Sequence, residues 1–383
     1  MATRIVALAL AAVLALAPPA SATWSIVLVD SSTGEVGIAA ATCLAGLDLE
    51  QHLPVVVVGK GGAVAQSALD SGAKNRKKIF QQLQLGTPPQ QILAIALQGD
   101  LLKATRQYGI VDLSLDSVGF TGGAAGQAKL HVNGTSGTLA YAIQGNVLAG
   151  QAVVLAAETA VQAAGGTLAD RLMAGMRAAF ELGGDGRCSC SPSAPDSCGA
   201  PPPEFDKSAH IAFVIVARAG DTDGSCNATA GCASGDYWLD LNVQNQDQDD
   251  PDPVRQLLAL YGSFVASMQG HPDGLQSSAA LADPVIAGDG VATTQLRVLL
   301  RDLAGRPLQR GGATFAVEHA PGSAGLASLA GVEDHQDGSY VLTLQSGVGA
   351  GTDLLAVRVD DGAVEATLYP YPQLEHLIRP GAP

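Results

Sequence analysis

The first 22 residues decide which part of this chain is available to fold. Arg4 precedes an apolar run from Ile5 to Ala17, Pro18-Pro19 interrupt it, and Ala20-Ser21-Ala22 supplies the small residues of an A-x-A cleavage site. That order is the signature of a secretory signal peptide, and the apolar run is too short to span a bilayer comfortably. Residues 1–22 are therefore expected to be removed, leaving an exported, periplasmic or secreted chain whose first residue is Thr23. A threonine at a free N-terminus carries two functions on one residue. Its Oγ can attack a carbonyl while its α-amine, with an ordinary pKa of about 7.7–8.0, accepts the proton. Thr23 is the first candidate catalytic residue, and a β-branched residue that merely starts a strand is the competing reading.

Export also sets the expectation for the six cysteines, since disulfides form and persist in oxidising compartments. Cys226 and Cys232 bracket a short loop and are the pair most easily drawn. Cys188, Cys190 and Cys198 lie in a Ser/Pro/Gly-rich stretch and Cys43 stands alone, so their pairing stays open. A zinc site would need C-x₂₋₄-C knuckles or nearby histidines, and Cys188-Ser-Cys190 is too tight for one. A formal charge of -15 argues against nucleic acid or an anionic membrane as a partner. No segment after the leader approaches eighteen consecutive apolar residues, so no transmembrane segment is expected.

Along the chain, Trp24 to Asp30 and Glu35 to Thr42 read as a hairpin around Ser31-Ser32-Thr33-Gly34, which would place Thr23 at an edge of a sheet. Pro54 to Val58 reads as a strand, followed by Gly59-Lys60-Gly61-Gly62 and Ala63 to Ala68. Helices are expected over Ala73–Leu85, over Gln91–Gln98 with Thr87 as cap and Pro88 at the first position, over Gln151–Ala164, and over Leu168–Leu182 opened by Thr167 with Asp170 three residues on. Strands are expected at Arg106–Asp112, Asp116–Thr121, Leu139–Gln144, His210–Ala217 and Tyr237–Val243, and Asp252-Pro253 opens a helix to about Met268. This order suits antiparallel sheet packed between helical layers. After a linker at residues 269–275, only short β-type runs follow, at Ala292–Arg301, Ala313–Glu318, Ser339–Gln345 and Leu354–Val359. They predict a separate β-sandwich over residues 276–370, with residues 371–383 as a tail.

Several stretches together resemble a known family. Thr23-Trp24-Ser25-Ile26-Val27 with Asp30 and Thr33-Gly34-Glu35-Val36-Gly37, then Gly62-Ala63-Val64-Ala65-Gln66, Gln144-Gly145-Asn146-Val147-Leu148-Ala149-Gly150, Gly183-Gly184-Asp185, and Asp252-Pro253-Val254 are similar to the bacterial domain of unknown function 1028. The resemblance spans residues 23–268, and residues 187–207 and 220–235 look like insertions. It implies an α+β fold, the four-layer αββα sandwich of the Ntn (N-terminal nucleophile) hydrolases, with amide-bond hydrolysis by an N-terminal Thr, Ser or Cys and no cofactor or metal. Residues 276–369, through Val298–Leu308 and Asp337–Leu344, resemble an all-β bacterial immunoglobulin-like domain of the invasin or intimin type, a spacer or surface module.

The other candidates follow from this reading. Lys60, in its Gly-rich turn, could lower the pKa of the amine or hydroxyl of Thr23 by its charge; a solvated loop lysine competes with that. Asp30 and Thr42 could orient the terminal amine or Lys60 by hydrogen bonds, although Asp30 is equally a turn former. Asn146 is a candidate oxyanion donor, or an ordinary N-cap. Gln66 and Gln144, with Thr42, are candidate substrate contacts. The Gly119–Gly126 run lacks the Lys-Ser/Thr of a phosphate loop. Asp247, Asp249, Asp250, Asp252 and Asp221-Thr222-Asp223-Gly224 lack EF-hand spacing and read as solvated acidic loops. No H-x-x-x-H or G-x-S-x-G occurs. The expected function is an exported Ntn-type amidohydrolase acting on a small-molecule or peptide amide. The alternative is a non-catalytic exported scaffold with a cell-surface or protein partner for its second domain.

Overall fold

A computed structural model describes residues 23–244 and 246–378; the leader assigned to residues 1–22 lies outside them. The chain divides into two compact units between Ala259 and Leu260.

The first unit begins with strands β1 (Thr23–Asp30) and β2 (Glu35–Thr42), a single turn of helix α1 (Leu49–His52), and strands β3 (Pro54–Val57) and β4 (Gly61–Ser67). Helices α2 (Lys74–Gln84) and α3 (Pro89–Leu97) precede strands β5 (Arg106–Asp112), β6 (Ser117–Thr121), β7 (Leu130–Ser136) and β8 (Leu139–Asn146). Helices α4 (Ala152–Ala163) and α5 (Leu168–Glu181), the short α6 (Gly186–Ser189), strands β9 (Ile211–Ala217) and β10 (Leu239–Val243), and helix α7 (Pro253–Ser267) complete the order. The division between the units falls inside α7.

One sheet has six antiparallel strands in the order β10-β9-β2-β1-β8-β7, and a second has four in the order β3-β4-β5-β6. Alternation on β1 and β2 sends Val27, Val29, Val36, Ile38 and Ala40 to one face, where they meet Val56, Val64 and Val111 of the other sheet. The second sheet turns Val55, Ala63, Ala65 and Ile110 outward onto Ile79, Phe80, Leu83, Ile92 and Leu93 of α2 and α3. Helices α4 and α5 lie on the first sheet's other face. A Cβ on Gly37 would stand 2.7 Å from Leu172 Cδ1, and one on Gly175 would stand 2.6 Å from Ile26 Cδ1. Those two glycines let α5 approach the strands closely.

Two expectations are corrected here. Strand β1 is not at an edge: it pairs with β2 on one side and with β8 on the other. The hairpin signal reports only the local neighbour, whereas the pairing with β8 closes a loop of more than a hundred residues that no local pattern announces. Thr87 does not cap α3. Its Oγ1 donates to Gln82 Oε1, and Pro88 occupies the cap position without a side-chain bond. By contrast, Thr167 and Asp170 form the expected capping box, and Asp252 Oδ1 accepts from the backbone N–H of Val254 and Arg255 at the head of α7.

The second unit is an all-β sandwich. Strands β11 (Ser278–Leu281), β12 (Val285–Ala287), β13 (Thr293–Leu299), β14 (Thr314–His319), β15 (Ser328–Asp334), β16 (Ser339–Gln345), β17 (Gly351–Asp360), β18 (Glu365–Leu368) and β19 (Gln373–Leu377) form sheets ordered β11-β13-β16-β15 and β12-β19-β17-β14, with β18 on β17. The inward residues Leu296, Val298, Tyr340, Leu342 and Leu344 face Leu355, Val357, Val359 and Leu374 across the core. Gly270 N–H donates to Asp302 Oδ2 and Asp273 N–H to the Arg301 carbonyl, so this part of the stretch read as a linker is bonded into the second unit.

All six cysteines are paired: Cys43 with Cys188, Cys190 with Cys198, and Cys226 with Cys232. The first bridge ties the stretch after β2 to α6, inside the segment read as an insertion. The acidic loops are accounted for by backbone donors. Asp223 Oδ1 accepts from Val58 N–H, Asp221 Oδ2 from Arg218 and Trp238 N–H, and Asp250 Oδ2 from Asp247 N–H.

Candidate active site

The side chains assembled around Thr23 come from both sheets. Thr23 pairs with Asn146 on β8, and because Trp24 pairs with Ala41, Thr42 lies on its other flank. Ser25, two residues on, points to the same side of β1 as Thr23, and Gln66 and Gln107 approach from β4 and β5 of the second sheet. Thr23, Ser25, Thr42, Gln66, Ser67, Gln107, Gln144 and Asn146 are all buried. Burying this many polar side chains together is costly unless they bond one another.

They do so in one direction. Gln144 Nε2 donates to Ser25 Oγ at 2.5 Å, and Ser25 Oγ donates to Gln66 Oε1 at 2.5 Å. Gln66 Nε2 donates to the Thr23 carbonyl at 3.1 Å and to Gln107 Oε1 at 3.0 Å. Gln107 Nε2 donates in turn to the Gly145 carbonyl and to Thr121 Oγ1, both at 2.9 Å. Backbone carbonyls only accept, so the contacts to Thr23 O and Gly145 O fix which amide atom of Gln66 and of Gln107 is nitrogen. Gly109 completes the arrangement: a Cβ there would lie 2.1 Å from Gln144 Oε1.

Asn146 sits beside Thr23, and its amide nitrogen reaches toward the other sheet. Its Nδ2 donates to Ser67 Oγ at 3.1 Å and to the Ala125 carbonyl at 2.9 Å. Through these bonds the side chain acts as a clamp between β8 and the end of β4. The backbone is strained at the same place. Ser67 has φ 73° and Val147 has φ 55°, a conformation that for a β-branched residue costs on the order of 1–3 kcal/mol.

The candidates do not all converge. Thr42, Gln66, Gln144 and Asn146 gather around Thr23. Lys60 is exposed in the β3–β4 turn, beside Gly62, which faces Val27, Val36 and Ile38 further along the sheet. Asp30 ends β1, roughly 24 Å of extended strand from Thr23, and accepts from the N–H and the Oγ of Ser32. It forms a turn and does not orient the amine.

Sequence reasoning passed over Ser25, Ser67, Gln107 and Asp185 as site residues. Ser25 was findable by its i+2 spacing from Thr23. Asp185 is fully buried, accepts from Cys43 N–H at 2.7 Å through Oδ2, and pairs with Arg187 at 2.8 Å. It anchors the stretch that follows Thr42. Nearby, His210 N–H donates to the Thr42 carbonyl; burial, then the Lys207 ammonium, lowers its imidazole pKa. Cys43, Cys188 and His210 group closely enough to suggest a metal set, but both sulfurs are spent in the disulfide and neither is a thiolate ligand. Among the described residues, no helix is long and apolar enough to cross a membrane.

Residues 23–194 match the model of a family of unknown function, DUF1028, and residues 273–369 match domain 3 of invasin. A crystal structure of a DUF1028 protein from Silicibacter pomeroyi is 21% identical, with 63% of this chain and 89% of that one covered and a TM-score of 0.45. The Yersinia pseudotuberculosis adhesin InvE is 28% identical over 24% of this chain and 25% of its own, at a TM-score of 0.19. No curated protein matches the chain. The chain is thus similar to the DUF1028 family over residues 23–194 and to domain 3 of invasin over residues 273–369.

Proposed function

We propose that the first unit is an Ntn-type amidohydrolase, a sandwich of two facing sheets between helical layers, in which Thr23 is the nucleophile once cleavage after Ala22 frees its amine. The observation that carries this reading is the position of Thr23. It begins a central strand, between Thr42 and Asn146, at the end of the sheet where polar side chains from both sheets and two strained residues converge. Thr23 Oγ attacks the carbonyl carbon of an amide and its α-amine takes the hydroxyl proton. The amine then returns that proton to the leaving nitrogen, and the same amine activates a water that hydrolyses the acyl ester on Thr23. Backbone N–H groups, helped by the Asn146 amide beside Thr23, hold the oxyanion.

The test begins with mass spectrometry of the mature N-terminus, which should be Thr23. A β-lactone or epoxyketone probe should then acylate or alkylate that residue in the wild type and in Thr23→Ser, but not in Thr23→Ala. Equal labelling of the alanine variant overturns the mechanism.

The invasin-type domain favours a second reading, in which the protein is an exported, adhesin-like scaffold that binds a surface or protein partner and the first unit is catalytically silent. A correctly processed but unlabelled Thr23 supports this reading over the first.

A further inference from the structure

We propose that Gln66 is a positioning residue for the Thr23 nucleophile, acting through the buried hydrogen-bond chain Gln144–Ser25–Gln66–Gln107; this rests on the reading of Thr23 given above. In the middle of the layer between the two sheets the contacts are apolar, made by residues such as Val27, Val29, Val64 and Val111, while at the β6–β7 edge the exposed Asn133 donates to Ser117. At the Thr23 end the buried layer itself turns polar, filled by three glutamines and a serine that are all buried. Apolar side chains of similar volume would hold two sheets together at least as well, since buried polar networks add little net stability. What such a network adds is a fixed geometry.

That geometry is centred on residue 23. Gln66 reaches from β4 and holds Thr23 by its carbonyl at 3.1 Å, while its own oxygen is held by Ser25 Oγ and its nitrogen by Gln107 Oε1. Gln107 fastens the same unit to the Gly145 carbonyl, one residue before Asn146. The donor direction is set along this chain, so Gln66 cannot rotate without breaking several bonds together. A residue that has just become a chain terminus loses the restraint of the peptide bond before it. The grip on its carbonyl replaces part of that restraint and keeps Oγ and the amine aimed at one point. Displacing reacting groups by about 1 Å can cost on the order of a hundredfold in rate.

The experiment uses the mature full-length protein and a β-lactone probe, reading the inactivation rate constant kinact, the apparent probe affinity KI and the thermal midpoint. Gln66→Met, similar in length but lacking the amide, is expected to lower kinact at least about tenfold with KI nearly unchanged. Gln107→Met leaves the bond from Gln66 to the Thr23 carbonyl in place. It should lower the thermal midpoint comparably while kinact falls much less. If Gln66→Met does not fold, Gln66→Leu, which likewise lacks the amide that holds the Thr23 carbonyl, carries the same comparison. An unchanged kinact in Gln66→Met, or parallel losses of kinact and stability in Gln66→Met and Gln107→Met, overturns the positioning role alone. A wild type that the probe does not label overturns both this role and the nucleophile itself.

Discussion

Thr23 stands opposite Asn146 in the antiparallel register of β1 and β8, and Asn146 is fastened beyond its own sheet, to Ser67 Oγ and the Ala125 carbonyl. Thr23 is therefore set against a strand whose end is pinned from the other sheet. Removing the pin is expected to destabilise the fold as well as the site. Asn146→Ala should cost about 1–3 kcal/mol, the usual penalty for leaving buried partners unsatisfied, read from urea unfolding. Asn146→Asp should cost more, because one carboxylate oxygen would then face the Ala125 carbonyl, which can only accept. An Asp variant as stable as the wild type would contradict this account of the clamp.

Much of the framework was legible because it is local. The strands from Trp24, Glu35, Arg106 and Leu139, the capping box at Thr167 and Asp170, and the Cys226–Cys232 bridge all announce themselves within a few residues. Strand β7 did not, because His131, Asn133 and Thr135 alternate along a half-exposed edge and dilute its apolar signal. Lys60 and Asp30 were drawn to the site by residue type, and only the direction of β1 and β4 shows that they stand elsewhere. Gln107 was invisible for the opposite reason: a glutamine in a strand says nothing until the strand opposite is known.

Glu50, Asp240 and Asp48 give the first unit an expected pH dependence. Burial, followed by the carboxylates of Asp240 and Asp48, pushes the Glu50 carboxyl up to about 8, and burial likewise raises Asp240. Between the unfolded value near 4.5 and about 8, the unfolded chain has released a proton that the folded protein retains. Stability should therefore fall as pH rises through this window and level off above it. Thermal melts from pH 5 to pH 8.5 should show this decline. Glu50→Gln, which keeps the shape without the charge, should flatten it and melt above the wild type at pH 8. A steeper slope in the variant would refute the assignment.

The bridges should contribute unequally. Cys43–Cys188 spans 145 residues and Cys226–Cys232 spans 6, and a cross-link restricts the unfolded chain more as the loop it closes lengthens. Replacing both members of the first by serine should cost about 3–5 kcal/mol, and replacing those of the second clearly less. Because Cys43 follows Thr42 directly and its N–H is held by Asp185, loss of the first bridge should also slow probe labelling of Thr23. Peptide mapping without reductant checks the pairing, and denaturant midpoints check the order.

The second unit has its own buried charge. Burial pushes the Asp353 carboxyl up, but donation from the backbone N–H of Ala327, Gly325 and Leu326 outweighs it and holds the group below the ordinary carboxylate range. His376, also fully buried, lies with Nε2 3.1 Å from Asp353 Oδ2 and Nδ1 3.0 Å from Ser346 Oγ. The loop at residues 325–327, strand β17 and strand β19 thus meet on one carboxylate. Asp353→Asn replaces an acceptor by a donor among several donors. It should destabilise this unit by about 3–5 kcal/mol, the scale for breaking a buried charged contact. Since the folded pKa is depressed, the contribution is present above the ordinary value near 3.8 and is lost as pH falls through the lower folded value. Calorimetry of the full chain from pH 7 to pH 3 should show the wild-type advantage over Asp353→Asn hold at neutral pH and shrink below about pH 4. An advantage that grows with acid would mean that the carboxylate is not what the three amides hold.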